Sequence, residues 1–347
     1  MNDILKKYKC IVPFTYLEIQ KENCYGCCPS WLPSIYGKTN DLISAWNGET
    51  ANKVRESILD GTYKYCDKNI CPHLSQLINT GVATNIFKSD IQKINGPTRL
   101  NLSFDRSCNI SCPSCRKDII MANADELKEI KTIINNISNN FGDSVTYLYI
   151  SGTSDPFASK TFRDFLINFD SNLFPKLKEI HIHTNGLLLN EEMWLKLEKV
   201  HKYIKTLEVS IDAATKETYE IVRRGGNWEK LIENINFISS IPTIIKKDFS
   251  FVVQDTNYKE MSLFYELISN LPFNPKNKFN VFFSKILNNG TYTEDEYLTK
   301  QIWNELHPRF NDFLIELQKV GLRYNSINNM NDIIEKYNLK SKRKFLI

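Results

Sequence analysis

Cys108, Cys112 and Cys115 set three thiols within eight residues, in the run CNISCPSCRK. Thiolates are soft ligands suited to zinc and to iron–sulfur clusters. A structural zinc site takes four protein ligands, and so does an ordinary cluster. Three ligands leave one position of a metal centre open, and an open position is where such a centre does chemistry. The plain alternative is a zinc knuckle that borrows His73 or His183. All nine cysteines lie between Cys10 and Cys115, with none in the rest of the chain. An odd, clustered set of this kind points to metal ligation rather than to a disulfide framework.

The elements that must position these residues follow from the pattern beyond residue 97. There β-branched and aromatic runs alternate with longer amphipathic stretches, as in strand–helix units around a parallel sheet. Strands are expected at Thr98–Asp105, Val145–Ser151, Leu177–Thr184, Thr206–Ile211, Phe249–Gln254 and Phe279–Ile286. Helical patterns follow the first four: ADELKEIKTIINNI, KTFRDFLINF, NEEMWLKLEKVHKYI and NWEKLIENINFI. In a barrel of such units the loops after the strands make the active face, and the first of these loops carries the cysteine triad. Six units fall short of a closed barrel of eight. The expectation is an α/β fold, a partial (β/α)6 TIM-type barrel with its mouth finished by a small amino-terminal, metal-stapled α+β module. The division is residues 1–90 for that module, 91–295 for the barrel and 296–347 for a carboxy-terminal helical extension. The first segment reads as a short strand pair (FTYLEI and the run before Cys27), a helix in ETANKVRESILDG, and then Cys66 and Cys71. It is too small and polar to be held by its own core, which suits a fold stapled by metal. The tail KSKRKFLI reads as a solvated end.

Bulk properties bound the function. The chain has 347 residues, 42% hydrophobic and 24% charged, a globular composition with length for a large core. A formal charge of +4 shows no strong basic stripe, so no nucleic-acid partner is expected. No apolar run of about 18 residues appears and the amino terminus lacks a signal-peptide core, so no membrane partner and a cytoplasmic location are expected.

The C-x3-C-x2-C spacing of Cys108, Cys112 and Cys115 resembles the defining motif of the radical S-adenosylmethionine (SAM) superfamily. The resemblance covers roughly residues 98–290. It implies a [4Fe–4S] cluster on the three cysteines, with SAM completing the fourth position and being cleaved to a 5′-deoxyadenosyl radical. The segment YISGTSDPFAS resembles the family's glycine-rich segment, which implies Gly152, Thr153 and Asp155 as contacts of the SAM amino group. HIHTNGLLL resembles the third strand end and implies Thr184 and Asn185. VSIDAATKETYEIVRRGG resembles the fourth, implying Ser210 and Asp212 toward the ribose or methionine part and Arg223 toward the SAM carboxylate. VVQDTN adds Gln254 and Asn257. Two departures stand out: Ser114 occupies a place where an aromatic is common, and Ser154-Asp155 stands where the family has Gly-Glu. Taken singly, Asn185-Gly186 is also a tight-turn pair, and Asp212 also suits a helix cap.

The string from CIVPFTYLEI through CCPSWLPS and ISAWN to YCDKNICPHL resembles a SPASM-type or twitch auxiliary-cluster module, lying ahead of the barrel rather than behind it. The resemblance implies a second [4Fe–4S] cluster on Cys10, Cys28, Cys66 and Cys71, with Cys27 as the alternative to Cys28. Cys24 is left over. A structural zinc on the same four thiolates stays open, since spacing separates the two poorly.

Together these imply a radical SAM oxidoreductase that takes a hydrogen atom from a small polar or carbohydrate-type substrate, with the auxiliary cluster as electron acceptor. An external donor such as flavodoxin or ferredoxin is the expected partner. The first alternative is a ribosomal-peptide maturase that cross-links or epimerises. An alternative of another class is a non-enzymatic zinc-binding interaction protein.

Overall fold

The computed structural model describes residues 2–91, 95–323, 330–337 and 339. Its strands are β1 (Lys9–Cys10), β2 (Tyr16–Gln20), β3 (Asn23–Tyr25), β4 (Ile35–Lys38), β5 (Phe87–Lys88), β6 (Arg99–Ser103), β7 (Tyr147–Ile150), β8 (Glu179–Thr184), β9 (Ile204–Ser210), β10 (Lys246–Val253) and β11 (Lys278–Lys285). The fold is mixed α/β with a mostly parallel sheet. The six strands expected after residue 97 correspond to β6 through β11. Two compact units form: Met1–Arg106 with Ala122–Ser154 and Ser159–His181, and Ser107–Met121 with Asp155–Ala158 and Ile182–Ile347.

In the first unit the strand order is β7-β6-β2-β3-β4, with β7, β6 and β2 parallel and the β2-β3-β4 meander antiparallel. β2 pairs residue for residue with β6, from Tyr16 on Arg99 to Gln20 on Ser103. The reason is alternation: Leu17 and Ile19 present one apolar face, as do Leu100 and Leu102, and all four are buried. The other face is polar. Tyr16 donates to Glu18 at 3.0 Å, Gln20 to Glu18 at 2.6 Å, Asn101 to Tyr16 at 3.1 Å and Ser103 to Asn101 at 2.9 Å. Separately, β1 and β5 form a two-stranded antiparallel pair.

Helix Ala124–Phe141 starts at a capping box between Asn123 and Glu126, and buries Ile130, Ile133, Ile137 and Phe141 at helical spacing. Helix Lys160–Ile167 is capped by Ser159.

In the second unit β9, β10 and β11 are adjacent and parallel. The loops feeding its helices end in side chains that take an orphan N–H: Asn190 before Glu191–Lys196, Thr215 before Lys216–Val222 and Asn227 before Trp228–Ser240. The stretch NEEMWLKLEKVHKYI is not one helix. His201 stacks on Trp194, ring centroids 4.0 Å apart, and its Nε2 bonds the Trp194 carbonyl at 2.7 Å. That carbonyl would otherwise carry the helix onward, and the chain instead tightens into a 3-10 turn at Glu198–Val200. Among the described residues, three helices follow β11: Glu294–Lys300, Phe310–Arg323 and Asn331–Lys336. The tail KSKRKFLI lies outside the described residues. Among those described, no helix is long and apolar enough to cross a membrane.

Candidate functional site

The cysteine triad lies on the loop after β6, within the second unit. Cys108 is pinned by its N–H to the Ile120 carbonyl at 2.8 Å. The N–H groups of Cys115 and Arg116 both bond the Cys112 carbonyl, at 2.9 and 3.0 Å, so the second and third cysteines share one turn. The Arg223-Arg224-Gly225 corner closes on this loop. Arg224 donates to Ser111 Oγ at 3.2 Å and to the backbone oxygens of Arg116 and Lys117, while the Ser111 N–H returns to the Arg224 carbonyl at 3.0 Å.

Each sulfur has a side-chain donor. Asn185 Nδ2 lies 3.7 Å from Cys108 Sγ, Arg223 Nη1 3.6 Å from Cys112 Sγ, and Arg116 Nη2 3.4 Å from Cys115 Sγ. Burial pushes the Cys108 thiol up to about 11 and raises that of Cys112, so a metal that binds here must displace protons.

The other expected positions fall into two groups. Asn185 touches the triad directly and also donates to Asn109 Oδ1 at 2.9 Å. Its place is fixed by Gly186, whose φ is 80° and where a Cβ would stand only 3.0 Å from Val209 Cγ1. Arg223 pairs with Asp212 at 2.7 Å, both nearly buried. Burial works against the Arg223 charge, and Asp212 with the Cys112 sulfur more than offset it. Asp212 holds φ at 63° and accepts from the Val252 N–H at 2.7 Å. Most of the remaining positions hydrogen-bond within the chain. Asp155 accepts four bonds: from the N–H groups of Phe157 and Ala158, from the Thr184 hydroxyl and from the Asn185 N–H. Asn257 ties Gln254 to the carbonyls of Asp212 and Val252, and Gln254 is itself buried. Ser210 bonds His183 at 2.7 Å and Ser250 at 3.0 Å. In the first unit Gly152 is exposed, and Thr153 donates to the Ser103 and Asp105 carbonyls.

Arg116, Arg224 and Asn109 were not singled out by the sequence. The signal was there for Arg116, which directly follows the third cysteine.

A second cysteine set lies wholly in the first unit. Cys10, Cys27, Cys66 and Cys71 line one cavity of about 20 Å³ with Trp31, Tyr63 and His73. Tyr63 knits it, taking the Cys10 N–H at 2.9 Å and donating to the Tyr8 carbonyl at 2.7 Å. Asp67 caps the Cys66–Cys71 loop through the N–H groups of Asn69 and Ile70. Burial raises all four thiols, those of Cys10 and Cys66 to about 12. Cys28 does not line the cavity, although its charge reaches Cys71. Its carbonyl instead starts a turn, accepting from Trp31 and Leu32 at 2.9 and 3.0 Å. Cys24 points into the core beside Thr39.

Among the described residues, no three His, Cys, Asp or Glu side chains are arranged to hold one metal ion. A tetrahedral zinc with bonds of about 2.3 Å would bring its sulfurs to about 3.8 Å of one another. A four-iron cluster is a wider body, and the triad also offers an unmet donor for its further ligand: Arg223 Nε, beside Cys112, is buried with no partner, as is the nearby Tyr219 hydroxyl. The residues present fit a cluster with an anionic ligand at this position.

Comparison with known proteins bears on residues 102–268. Residues 102–268 match the family described as the Radical SAM superfamily. No curated protein matches the chain. Among solved structures, similar chains include a native anSMEcpe with bound AdoMet and Cp18Cys peptide, at 18% identity over 71% of this chain and 67% of that one, TM-score 0.45. Others are a TYW1 with a lysine-pyruvate adduct bound (13% identity, 62% and 69% covered, TM-score 0.36) and BtrN in complex with AdoMet and 2-DOIA (18%, 54% and 85%, TM-score 0.27). The three cysteines, on the first strand-end loop, lie inside this matched segment, residues 102–268.

Proposed function

We propose that the protein is a radical SAM oxidoreductase acting on a small polar or carbohydrate-type substrate, with a second [4Fe–4S] cluster in its amino-terminal segment as electron acceptor. The observation that carries the reading is the triad on the loop after β6, each sulfur met by a side-chain donor.

When bound, cluster and SAM supply a 5′-deoxyadenosyl radical that abstracts hydrogen from a C–H bond. The chain's own work is ligation and placement. Cys108, Cys112 and Cys115 hold the cluster. Arg223 Nε, buried and unmet, is the donor suited to the SAM carboxylate. Asp155, Thr184 and Asn257 keep the strand-end loops in place, which fixes Asn185 and Asp212 in turn.

The auxiliary centre is assigned to Cys10, Cys27, Cys66 and Cys71, since Cys27 shares their cavity. Four protein ligands close a site, which suits electron transfer rather than substrate ligation. A polar substrate is supported by the strand face bearing Tyr16, Glu18, Gln20, Asn101 and Ser103, an array of hydrogen-bonding groups where a sheet usually buries apolar ones. A flavodoxin- or ferredoxin-type protein would supply the initiating electron.

The test is anaerobic reconstitution of wild type and of Cys108/Cys112/Cys115→Ala, with iron and sulfide counted and 5′-deoxyadenosine assayed after dithionite and SAM. About eight irons falling to about four, with nucleoside from wild type alone, is expected. Stoichiometric zinc and no nucleoside would overturn the reading.

A further inference from the structure

Two of the three donors that reach the triad are guanidinium groups. Arg116, 6% exposed, reaches Cys115, and Arg223 reaches Cys112; the third donor, Asn185 on Cys108, is neutral. The electrostatic reach of Arg116 extends to all three sulfurs. Arg224 is the internal contrast. It binds the same loop through Ser111 and backbone oxygens, so it holds the loop without donating to a sulfur.

We propose that Arg116 and Arg223 set the reduction potential of the centre held by Cys108, Cys112 and Cys115, an inference that rests on the cluster assignment above. Reduction adds one electron from an external one-electron donor and moves no proton, so the buried site gains a full negative charge. Desolvated negative charge is costly unless cations or hydrogen bonds offset it, and hydrogen bonds to the sulfurs and net charge are among the levers that set a cluster's potential. A charge-assisted donor is about twice as strong as a neutral one. The two arginines therefore favour the reduced form, and a protein whose first step is uptake of an electron at this centre gains from that bias.

Arg116 is the residue to vary, because removing Arg223 would strand the Asp212 carboxylate in the interior. The experiment is a redox titration of the reconstituted protein followed by electron paramagnetic resonance, tracking the signal that changes on SAM addition. Arg116→Met is compared with Arg116→Lys and with Lys117→Met, the last an exposed charge next in the chain. Arg116→Met is expected to load wild-type iron and to lower the reduced-to-oxidised ratio at fixed potential at least tenfold, a midpoint about 59 mV more negative. Arg116→Lys should fall between it and wild type, and Lys117→Met should match wild type. A midpoint in Arg116→Met equal to that of Lys117→Met overturns the inference while leaving the cluster assignment intact. If Arg116→Met does not load, Arg116→Lys decides: a wild-type midpoint there counts against the inference. A wild type with no signal lost in Cys108/Cys112/Cys115→Ala removes the assignment itself, and the inference with it.

Discussion

Thr184 donates its hydroxyl to Asp155 Oδ2 at 2.7 Å, and the Asn185 N–H reaches the same oxygen at 2.8 Å. Two further N–H groups, of Phe157 and Ala158, fill Oδ1. An ionised carboxylate offers about four acceptor positions, so none is left for an ammonium group. Asp155, expected from the resemblance to meet the SAM amino group, is committed to joining the segment after β7 to the end of β8. Asp155→Asn should cost about 1–3 kcal/mol, because an amide cannot accept from all four donors. The loss would be read as a lower urea midpoint with SAM binding per folded molecule little changed. Unchanged stability with lost SAM affinity would return Asp155 to the ligand set.

The Asp212–Arg223 pair is nearly buried, and breaking such a pair from one side leaves a lone charge. Asp212→Asn keeps a residue that tolerates φ of 63° and isolates the charge. The expected loss is about 3–5 kcal/mol. Arg223→Met on that background should recover part of it, and a double-mutant cycle from chemical unfolding measures how much.

Lys247 is fully buried on β10 and donates to the Ile241 and Ile244 carbonyls at 2.9 and 2.8 Å. Burial lowers its pKa from 10.5 to about 8. The unfolded chain then keeps its proton to higher pH than the folded one, so this lysine's contribution rises from pH 8 toward 10.5 and is lost as pH falls through 8. Stability of wild type relative to Lys247→Met should climb across that window, as urea midpoints at pH 7, 8, 9 and 10 would show. A flat difference would mean that Lys247 keeps its charge in the fold.

On the proposed assignment, Cys27→Ser should remove the second cluster, taking total iron from about eight to about four, whereas Cys28→Ser should retain it. Cys24→Ser, with its sulfur buried at Thr39, should alter stability and leave iron content alone. Iron loss in Cys28→Ser alone would move the fourth ligand by one residue.

The strands after residue 97 were legible because their signal is local: Leu100 and Leu102, or Ile180 and Ile182, repeat at the period of the pleat. The triad was legible for the same reason. What the sequence hid were relationships across distance. FTYLEI reads as half of a hairpin, and it is; its second neighbour, β6, lies about 80 residues on and leaves no mark near it. Asp155 was expected as a ligand from the resemblance of its segment, and its bonds to Thr184 and Asn185, some 30 residues on, leave no mark in the local sequence. Cys27 and Cys28 could not be separated by spacing, and the turn that begins at the Cys28 carbonyl, which leaves Cys27 at the cavity, is a relationship that spacing does not carry.

The parallel pairing of β2 with β6 also sets an order of events during synthesis. β2 and its hairpin leave the ribosome well before their partner, since chains grow at about 5–20 residues per second from the amino terminus. Until Arg99–Ser103 arrives, Tyr16–Gln20 offers a bare edge of unpaired N–H and C=O groups, the kind that recruits other chains. Cys10 has emerged before that interval, and Cys27, Cys66 and Cys71 emerge within it. On the proposed reading of a second cluster at these cysteines, iron delivered before β6 would close the nascent segment around its cavity and shorten the excursion that β6 must bridge, so iron-starved cells should accumulate this protein as aggregate rather than as intact apoprotein.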